Sequence, residues 1–389
     1  MAPGPRLGFA RALAASGALT AIAAAAALAL ANSPETGRWT ALTGQAFTIR
    51  VGGFAETLSL SGWARAGLMP LFFLLITMQL KFELSRGDLS SWRRAALPMI
   101  AAAGGVIGPL LALLALAPSE ALAAWPAASA TDPSLVLAAL ALAARRSPAG
   151  LRVLVLTIAL VDDLAGLVLK AILGPAPVSE HALVGALAAL ALLLAVSRWR
   201  GAPFLFYAAL IAIVWGFASR AGLDPALAGV ACALAVPAGT RRPGQESVLR
   251  FFIDSLAPYV GFAVLPLFAL ASAGAPFASA RLSGVGHGAA PLFLALILGK
   301  PLGVFALAAG AVLLRLARRP AGTAWLDLLG AALLGAAGMT ASFYLIPVGE
   351  SYGGWRLAAL AASALALVAG ALTLRLARAR RPPLDDQLS

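Results

Sequence analysis

Long apolar runs separated by short polar segments make up most of this sequence. A helix that crosses a bilayer needs about 20 predominantly apolar residues. The pattern predicts about twelve such spans, at 12–31, 63–84, 95–117, 121–144, 151–173, 181–197, 203–219, 223–237, 255–272, 291–314, 324–347 and 356–374. The first run is longer than the about 7–15 apolar residues of a signal peptide, so we expect a retained helix. The predicted fold class is an all-α polytopic membrane protein, with residues 1–389 in a single domain.

Residues 45–60 depart from the helical pattern. Two runs with partial β alternation flank Gly52-Gly53, and such runs joined by Gly-Gly predict a short β-hairpin. An isolated hairpin is only marginally stable in water, so a partner surface such as a second subunit would explain it. The alternative is an ordinary loop.

Composition agrees with a membrane location. Hydrophobic residues make up 61% of the chain and charged residues 12%, whereas a soluble domain usually carries about 25% charged residues. This excludes a soluble enzyme, a disordered chain and a disulfide scaffold. The net charge of +13 does not indicate a nucleic-acid partner, because the arginines are spread through short loops.

The arginines also predict the orientation of the chain. When alternate loops are assigned to the two sides of the membrane, one side holds 20 arginines and the other 6. Loops rich in basic residues stay in the cytoplasm. We therefore expect a multi-pass protein of the bacterial inner membrane, with both termini cytoplasmic, the hairpin external and the Arg375–Arg381 cluster against anionic lipid.

Four ionisable residues fall in the middle of predicted spans: Asp132 in the fourth, Asp162 and Asp163 in the fifth, and Lys300 in the tenth. Each such charge costs about 2.5–3.5 kcal/mol on insertion scales. One cation cannot neutralise three carboxylates, and buried ion pairs are poor stabilisers, so an ion site is favoured over a purely structural role.

The two adjacent aspartates suggest how such a site works. Neighbouring residues on a helix point about 100° apart, so one of them can reach Lys300 while the other faces a water-filled cavity. We expect Asp162 and Asp163 to titrate as one coupled site. Carboxylates that bind either H⁺ or a hard cation such as Na⁺, but not both together, make an exchanger by competition.

Two spans are predicted to be broken. Pro133 disfavours helix at Asp132 in the fourth span, and the eleventh span contains Gly338 with the polar residues Thr340 and Ser342. Broken helices in corresponding positions mark the substrate site of many transporters. The inverted repeats would then be spans 3–5 (95–173) and spans 10–12 (291–377).

The order and spacing of these residues resemble the NhaA-type Na⁺/H⁺ antiporters. The matching strings are Leu160-Val161-Asp162-Asp163-Leu164, Ala130-Thr131-Asp132, Gly299-Lys300-Pro301-Leu302-Gly303, Leu265-Pro266-Leu267-Phe268-Ala269 and Ala226-Leu227-Ala228-Gly229-Val230. The resemblance implies electrogenic exchange of one Na⁺ or Li⁺ for two H⁺ by alternating access. It also implies no cofactor, no enzymatic activity and a homodimer formed through the external hairpin.

The resemblance implies roles for single residues. Asp163 is the expected principal Na⁺ ligand. Asp162 is expected to be its partner and to pair with Lys300 in at least one state. At the non-helical crossing beside Thr131, Asp132 is expected to offset the positive ends of the half-helices and Lys300 the negative ends. The other residues of the crossing are Pro133, Gly338, Thr340 and Ser342.

The chain departs from the family at the cytoplasmic end of the second span. Members usually show Gly-Leu-Glu-x-Lys-x-Glu, whereas this chain reads Thr77-Met78-Gln79-Leu80-Lys81-Phe82-Glu83. Gln79 replaces an acid, and Phe82 stands where Arg is common. Asp254 begins the ninth span, where some members carry a Glu–His pair. Because these positions form the pH-response funnel of the family, we expect intact transport with an altered pH dependence.

Three alternatives stay open. A Na⁺- or H⁺-coupled symporter of organic anions could use a similar fold, although it would not need Lys300 beside an aspartate pair. A non-transporting sensor homologue would fit the altered second span. An intramembrane enzyme would need a Ser/His or metal constellation at mid-depth, and both histidines, His181 and His287, are expected outside the membrane core.

Overall fold

A computed structural model describes residues 6–51, 54–143, 147–174, 178–199, 203–239, 247–278 and 289–379. Almost all of its secondary structure is helical. The helices are α1 (Arg6–Ala31), α2 (Thr36–Gly44), α3 (Leu60–Arg86), α4 (Trp92–Leu116), α5 (Ala121–Ser129), α6 (Pro133–Ala143), α7 (Ala149–Leu173), α8 (Glu180–Arg198), α9 (Phe204–Arg220), α10 (Pro225–Ala235), α11 (Val248–Ser272), α12 (Ala289–Leu313), α13 (Trp325–Leu334), α14 (Met339–Leu345) and α15 (Gly353–Ala379). A 3₁₀ turn, Glu350–Tyr352, precedes α15.

The described helices confirm a multi-pass membrane protein. Seven of them, α1, α3, α4, α8, α11, α12 and α15, are long and apolar enough to cross a bilayer, and the two bent pairs α5/α6 and α13/α14 raise the number to nine. The apolar helices α9 and α10 are shorter, and α7 carries four charged side chains over its 25 residues. The total of twelve spans stays a prediction.

The two predicted breaks are present. Helices α5 and α6 meet at an angle of 47°, and α13 and α14 at 45°. Pro133 is the first residue of α6, where its missing N–H is not needed, and it disfavours helix at the residue before it. Gly338 is the residue immediately before α14. Both helix pairs are therefore interrupted inside the predicted spans.

Three spans contain a wide π turn, and each turn ends two residues before a proline. The turns are Ala64–Leu68, Val260–Val264 and Ala295–Gly299, followed by Pro70, Pro266 and Pro301. A proline ring clashes with the carbonyl group four residues earlier, and the wider turn relieves the clash. The carbonyl group of Ala66, which Pro70 leaves without its helical donor, accepts the indole N–H of Trp215 at 2.7 Å.

The predicted β-hairpin is confirmed. Strand β1 (Ala46–Val51) pairs antiparallel with β2 (Phe54–Ser59), with Thr48 opposite Thr57. The indole N–H of Trp63 at the start of α3 donates to the Phe47 carbonyl oxygen at 3.0 Å and ties the hairpin to the helix. The predicted turn, Gly52-Gly53, lies outside the described residues. Helix α2, just before the hairpin, is short and was not predicted.

The chain forms two compact units, each discontinuous in sequence. One contains Met1–Ser90 and Leu167–Ser279, and the other contains Ser91–Gly166 and Ala280–Ser389. In the second unit, α4 packs closely along α12, and the bent pairs pack with α15. A buried apolar core takes its residues from α4, α6, α7, α12, α13 and α15. The four ionisable residues predicted in mid-span all belong to this second unit.

Candidate functional site

The four mid-span charges converge in the second unit. Asp132 lies in the extended segment between α5 and α6, Asp162 and Asp163 lie on α7, and Lys300 directly follows the π turn of α12. All four side chains are fully buried, with no exposed surface. The expectation that one aspartate faces a water-filled cavity does not hold in this conformation, because the fold encloses both.

Lys300 joins the carbonyl end of α5 to the aspartate pair. Its Nζ donates to the carbonyl oxygens of Ser129 at 2.6 Å and Ala130 at 2.5 Å, and to Thr131 Oγ1 at 2.6 Å. The Oδ2 atom of Asp162 lies 3.1 Å from the same nitrogen. The ammonium therefore offsets the negative end of α5, where the last carbonyl groups lack helical donors.

Asp132 serves the opposite ends of the half-helices. Its Oδ1 accepts from the backbone N–H groups of Ser134 at 3.1 Å and Leu135 at 3.3 Å, in the first turn of α6, and from the Ser134 hydroxyl at 2.7 Å. Its Oδ2 accepts from the N–H of Thr340 at 3.3 Å, in the first turn of α14, and from the Thr340 hydroxyl. One carboxylate thus caps two helix N-termini. Both of its oxygens are occupied.

Asp162 and Asp163 differ from Asp132 in that each has one oxygen atom for which the described residues supply no hydrogen-bond partner. Asp163 Oδ1 accepts the backbone N–H of Thr131 at 2.9 Å, and Asp162 Oδ2 is engaged by Lys300 and the Thr131 hydroxyl. Asp162 Oδ1 and Asp163 Oδ2 are buried and have no hydrogen-bond partner among the described residues. Buried carboxylate oxygens normally have partners, so these two atoms are the candidate positions for a proton or a hard cation.

The Thr131 hydroxyl has two possible acceptors for its single hydrogen. Its Oγ1 lies 2.7 Å from the Gly335 carbonyl oxygen and 3.0 Å from Asp162 Oδ2. A hydroxyl donates once. When Asp162 is occupied by a proton or a cation, Thr131 can therefore donate to Gly335 without losing its hydrogen bond.

The remaining predicted residues of the crossing hold the two broken pairs together. The Ser342 hydroxyl donates to the Ala127 carbonyl oxygen at 2.8 Å. A Cβ atom at Gly338 would lie 2.3 Å from the Ala130 carbonyl oxygen, so only glycine fits where the two extended segments of the chain cross. Ser342 and Gly338, together with Pro133 and Thr340, therefore hold the extended segments in place. They are not the residues that carry the oxygens without a partner among the described residues.

The predicted pH-response residues lie in the first unit. The amide N–H of Gln79 donates to Glu83 Oε1 at 3.0 Å, one helical turn away and buried. The guanidinium of Arg250 lies 5.4 Å from the ring centroid of Phe82 and pairs with Asp254 at 2.7 Å. The sequence interpretation placed Asp254 at the start of its span. It lies instead within α11, which begins at Val248 because the Ser247 hydroxyl caps the helix there.

Lys81 has a different role from its neighbours. Its Nζ donates to the carbonyl oxygens of Leu234 at 2.5 Å and Val236 at 2.6 Å, at the end of the short helix α10. At the start of that helix, Asp224 accepts the N–H of Ala226 at 3.0 Å and pairs with Lys170 at 2.8 Å. Sequence reasoning missed this arrangement, as it missed Arg250 and the Gly335 carbonyl group, because nothing in the local pattern marks them.

Comparison with known proteins supplies the family. The chain matches the model described as Na⁺/H⁺ antiporter 1 over residues 8–374. It is 36% identical over 370 residues to the Na(+)/H(+) antiporter NhaA of Paramagnetospirillum magneticum, covering 93% of this chain and 94% of the relative. For the protein of the same name from Pseudomonas putida the identity is 36% over 367 residues, covering 92% and 93%. The Na(+)/H(+) antiporter NhaA 2 of Pseudomonas syringae pv. syringae is 34% identical over 337 residues, covering 85% and 83%. Because the family match runs through both broken helix pairs and all four buried ionisable residues of the candidate site, we conclude that this chain belongs to the Na⁺/H⁺ antiporter 1 family.

Proposed function

We propose that this chain is an electrogenic antiporter that exports Na⁺ or Li⁺ in exchange for H⁺ by alternating access. The observation that carries the proposal is the pair of buried oxygens, Asp162 Oδ1 and Asp163 Oδ2, which have no hydrogen-bond partner in the part of the chain that the structure describes. Oxygen atoms are the ligands that hard cations prefer, and a carboxylate oxygen is also where a proton binds. Competition between the two at the same atoms is sufficient for exchange.

The buried charges support transport of net charge. Three carboxylates and one ammonium leave a formal charge of −2 in a fully buried site. Two protons neutralise this charge completely, whereas one monovalent cation leaves a single negative charge. Exchange of two protons for one cation therefore moves net charge across the membrane and is driven by the membrane potential as well as by the proton gradient.

The hydrogen-bond inventory assigns different roles to the aspartates. Asp163 and Asp162 take the cation, because each has an oxygen to offer. Asp132 stays ionised and structural, because five donor contacts occupy its two oxygens. Thr131 and Lys300 orient Asp162 and Asp163. When the substrate binds, Thr131 can still donate to the Gly335 carbonyl oxygen, and Lys300 can still donate to the carbonyl oxygens of Ser129 and Ala130.

The direct test is collapse of a respiration-driven pH gradient on addition of Na⁺ or Li⁺ to inverted membrane vesicles. We expect a response with the wild-type chain and none with Asp163→Asn, which keeps the size of the side chain and removes its charge. The matched control is Glu35→Gln, at an exposed acid paired with Arg38, which should respond like the wild type. A wild-type chain that inserts but does not respond would favour the sensor, and a response only with an added organic anion would favour the symporter.

The finer architecture is also a proposal. We propose twelve spans, both termini in the cytoplasm of a bacterial inner membrane, and inverted repeats at 95–173 and 291–377. The hairpin would lie outside and join two copies into a homodimer, since each strand of a two-stranded sheet keeps one unpaired edge. Replacing residues 46–59 by a short Gly-Ser linker should yield monomers on native gels, whereas wild-type protein should run as a dimer. A dimer that survives the replacement would exclude the hairpin as its contact.

We further propose that the pH response differs from that of typical members. Gln79 contacts Glu83 through a neutral amide group, and Phe82 contacts the Arg250 guanidinium through its aromatic ring. Neither side chain changes its charge with pH. Transport should therefore vary gradually with pH, and a steep onset between about pH 7 and 8 would contradict this proposal.

A further inference from the structure

Gly105 on α4 lies against the carboxylate of Asp162. A Cβ atom at this position would be 2.7 Å from Asp162 Oδ2, 2.9 Å from Oδ1 and 3.2 Å from Cγ. These are the three nearest atoms, and all belong to that one side chain. The carboxylate therefore occupies the space that any side chain at position 105 would need.

The neighbouring glycines of α4 have a different environment. A Cβ at Gly104 would lie 2.2 Å from the Gly303 carbonyl oxygen, and one at Gly108 would lie 2.3 Å from the Gly299 carbonyl oxygen. These contacts join the backbones of α4 and α12, as in other close helix crossings built on glycines four residues apart. Gly104 and Gly108 thus serve helix packing, whereas the nearest atoms to a Cβ at Gly105 belong to the Asp162 carboxylate.

We propose that Gly105 is a positioning residue for cation binding: its missing side chain sets where the Asp162 carboxylate stands. With this space free, Asp162 reaches Lys300 and Thr131 with Oδ2 and leaves Oδ1 unpartnered. The inference deepens the proposed function and rests on it, since it assumes that Asp162 takes part in binding a monovalent cation.

A methyl group at position 105 should move the carboxylate and little else. The group that the methyl would meet is the carboxylate of Asp162, at the end of a side chain that can rotate. The backbones of α4 and α7 therefore need not separate. A cation requires several oxygens in a fixed arrangement, and misplacement of one by about 1 Å can cost on the order of a hundredfold in activity. A proton needs only one oxygen, so proton binding tolerates the same shift.

The experiment compares Gly105→Ala with Gly310→Ala, a control on α12 where a Cβ would meet nothing within 4 Å. In vesicles we expect Gly105→Ala to raise the apparent KM for Na⁺ and Li⁺ at least tenfold, with the pH of maximal transport unchanged. In detergent it should lose most of the upward shift in melting temperature that Na⁺ or Li⁺ gives the wild type. Gly310→Ala should match the wild type in both assays. An unchanged KM and an unchanged thermal shift for Gly105→Ala would overturn the inference.

A second comparison measures stability without transport. In the wild-type background Gly105→Ala should lower the melting temperature, whereas in an Asp162→Ala background, which lacks the obstructing carboxylate, it should leave the melting temperature unchanged or raise it, because alanine favours helix more than glycine does. An equal loss in both backgrounds, or failure to fold in both, would show that the methyl group meets something other than Asp162. If the wild type itself shows no response to Na⁺ or Li⁺, the proposed function fails, and this comparison still decides the geometry.

Discussion

The ammonium of Lys300 lies 3.1 Å from the carboxylate of Asp162, and this is the longest of its four polar contacts. An ammonium group has three hydrogens, so the two backbone carbonyl oxygens and Thr131 Oγ1 suffice to satisfy it. If Asp162 leaves the pair, all three hydrogens of the Lys300 ammonium group therefore still have acceptors.

Removal of the Lys300 charge should destabilise the fold more than it alters cation affinity. We expect Lys300→Met to cost about 3–5 kcal/mol of stability, because the carbonyl end of α5 and Asp162 lose their shared cation. The melting temperature in detergent measures this. Adding Asp162→Asn should recover part of the loss, since the double variant no longer buries an unpaired carboxylate. A double variant less stable than Lys300→Met would contradict the ion-pair interpretation.

Asp132→Asn should weaken the crossing of the broken helices. The amide NH₂ group of asparagine would face some of the N–H and O–H groups that now donate to Asp132. We therefore expect a loss of about 1–3 kcal/mol in the free energy of unfolding. Ser134→Ala removes a single donor to the same carboxylate and should cost less. The apparent KM for Na⁺ should stay near the wild-type value in both variants, with a reduced maximal rate in Asp132→Asn. A large rise in KM would instead make Asp132 a cation ligand.

Gln79→Glu should introduce a pH-dependent step. The Gln79 amide nitrogen and Glu83 Oε1 are 3.0 Å apart, and two carboxylates at that distance must share a proton. When the pH rises and the shared proton leaves, the like charges repel one another within the buried turn. Transport should therefore depend more steeply on pH than in the wild type, in a scan from pH 6.5 to 8.5. Gln79→Met, which adds no charge, should keep the wild-type profile, and identical profiles for all three chains would exclude this cluster from the pH response.

Lys81→Met should destabilise the short helix α10. The ammonium donates to two terminal carbonyl oxygens of that helix, and loss of a charge-assisted helix cap costs about 1–2 kcal/mol. Ser85→Ala is a suitable control, because its exposed hydroxyl donates only within α3. We expect a lower melting temperature for Lys81→Met alone, with no change in the apparent KM for Na⁺. Equal melting temperatures for Lys81→Met and the wild type would argue against the cap.

Sequence patterns predicted those features that depend on neighbouring residues. Span length and hydropathy are local, so the long helices and the interruption before Pro133 could be located in advance, and the residues beside Gly52-Gly53 indicated the hairpin. Pairing across the fold is not local. Lys170 and Asp224 are 54 residues apart, and no spacing rule joins them. Nor could the sequence reveal which oxygens of Asp162 and Asp163 have no partner, because that depends on the path of the extended segment through Thr131.

The wide turn before Lys300 offsets the helical register of α12 by one residue. Residues before Ala295 and residues from Lys300 onward therefore do not share one continuous face, although they belong to one span. Lys300 is fully buried in the second half of this helix, while Leu302 and Leu313 in the same half are exposed. Deletion of one residue from the turn would restore a continuous α-helix and rotate Lys300 by about 100° relative to the preceding half. Pro301 makes that regular helix unfavourable, so the direction of the buried ammonium depends on a residue that carries no charge.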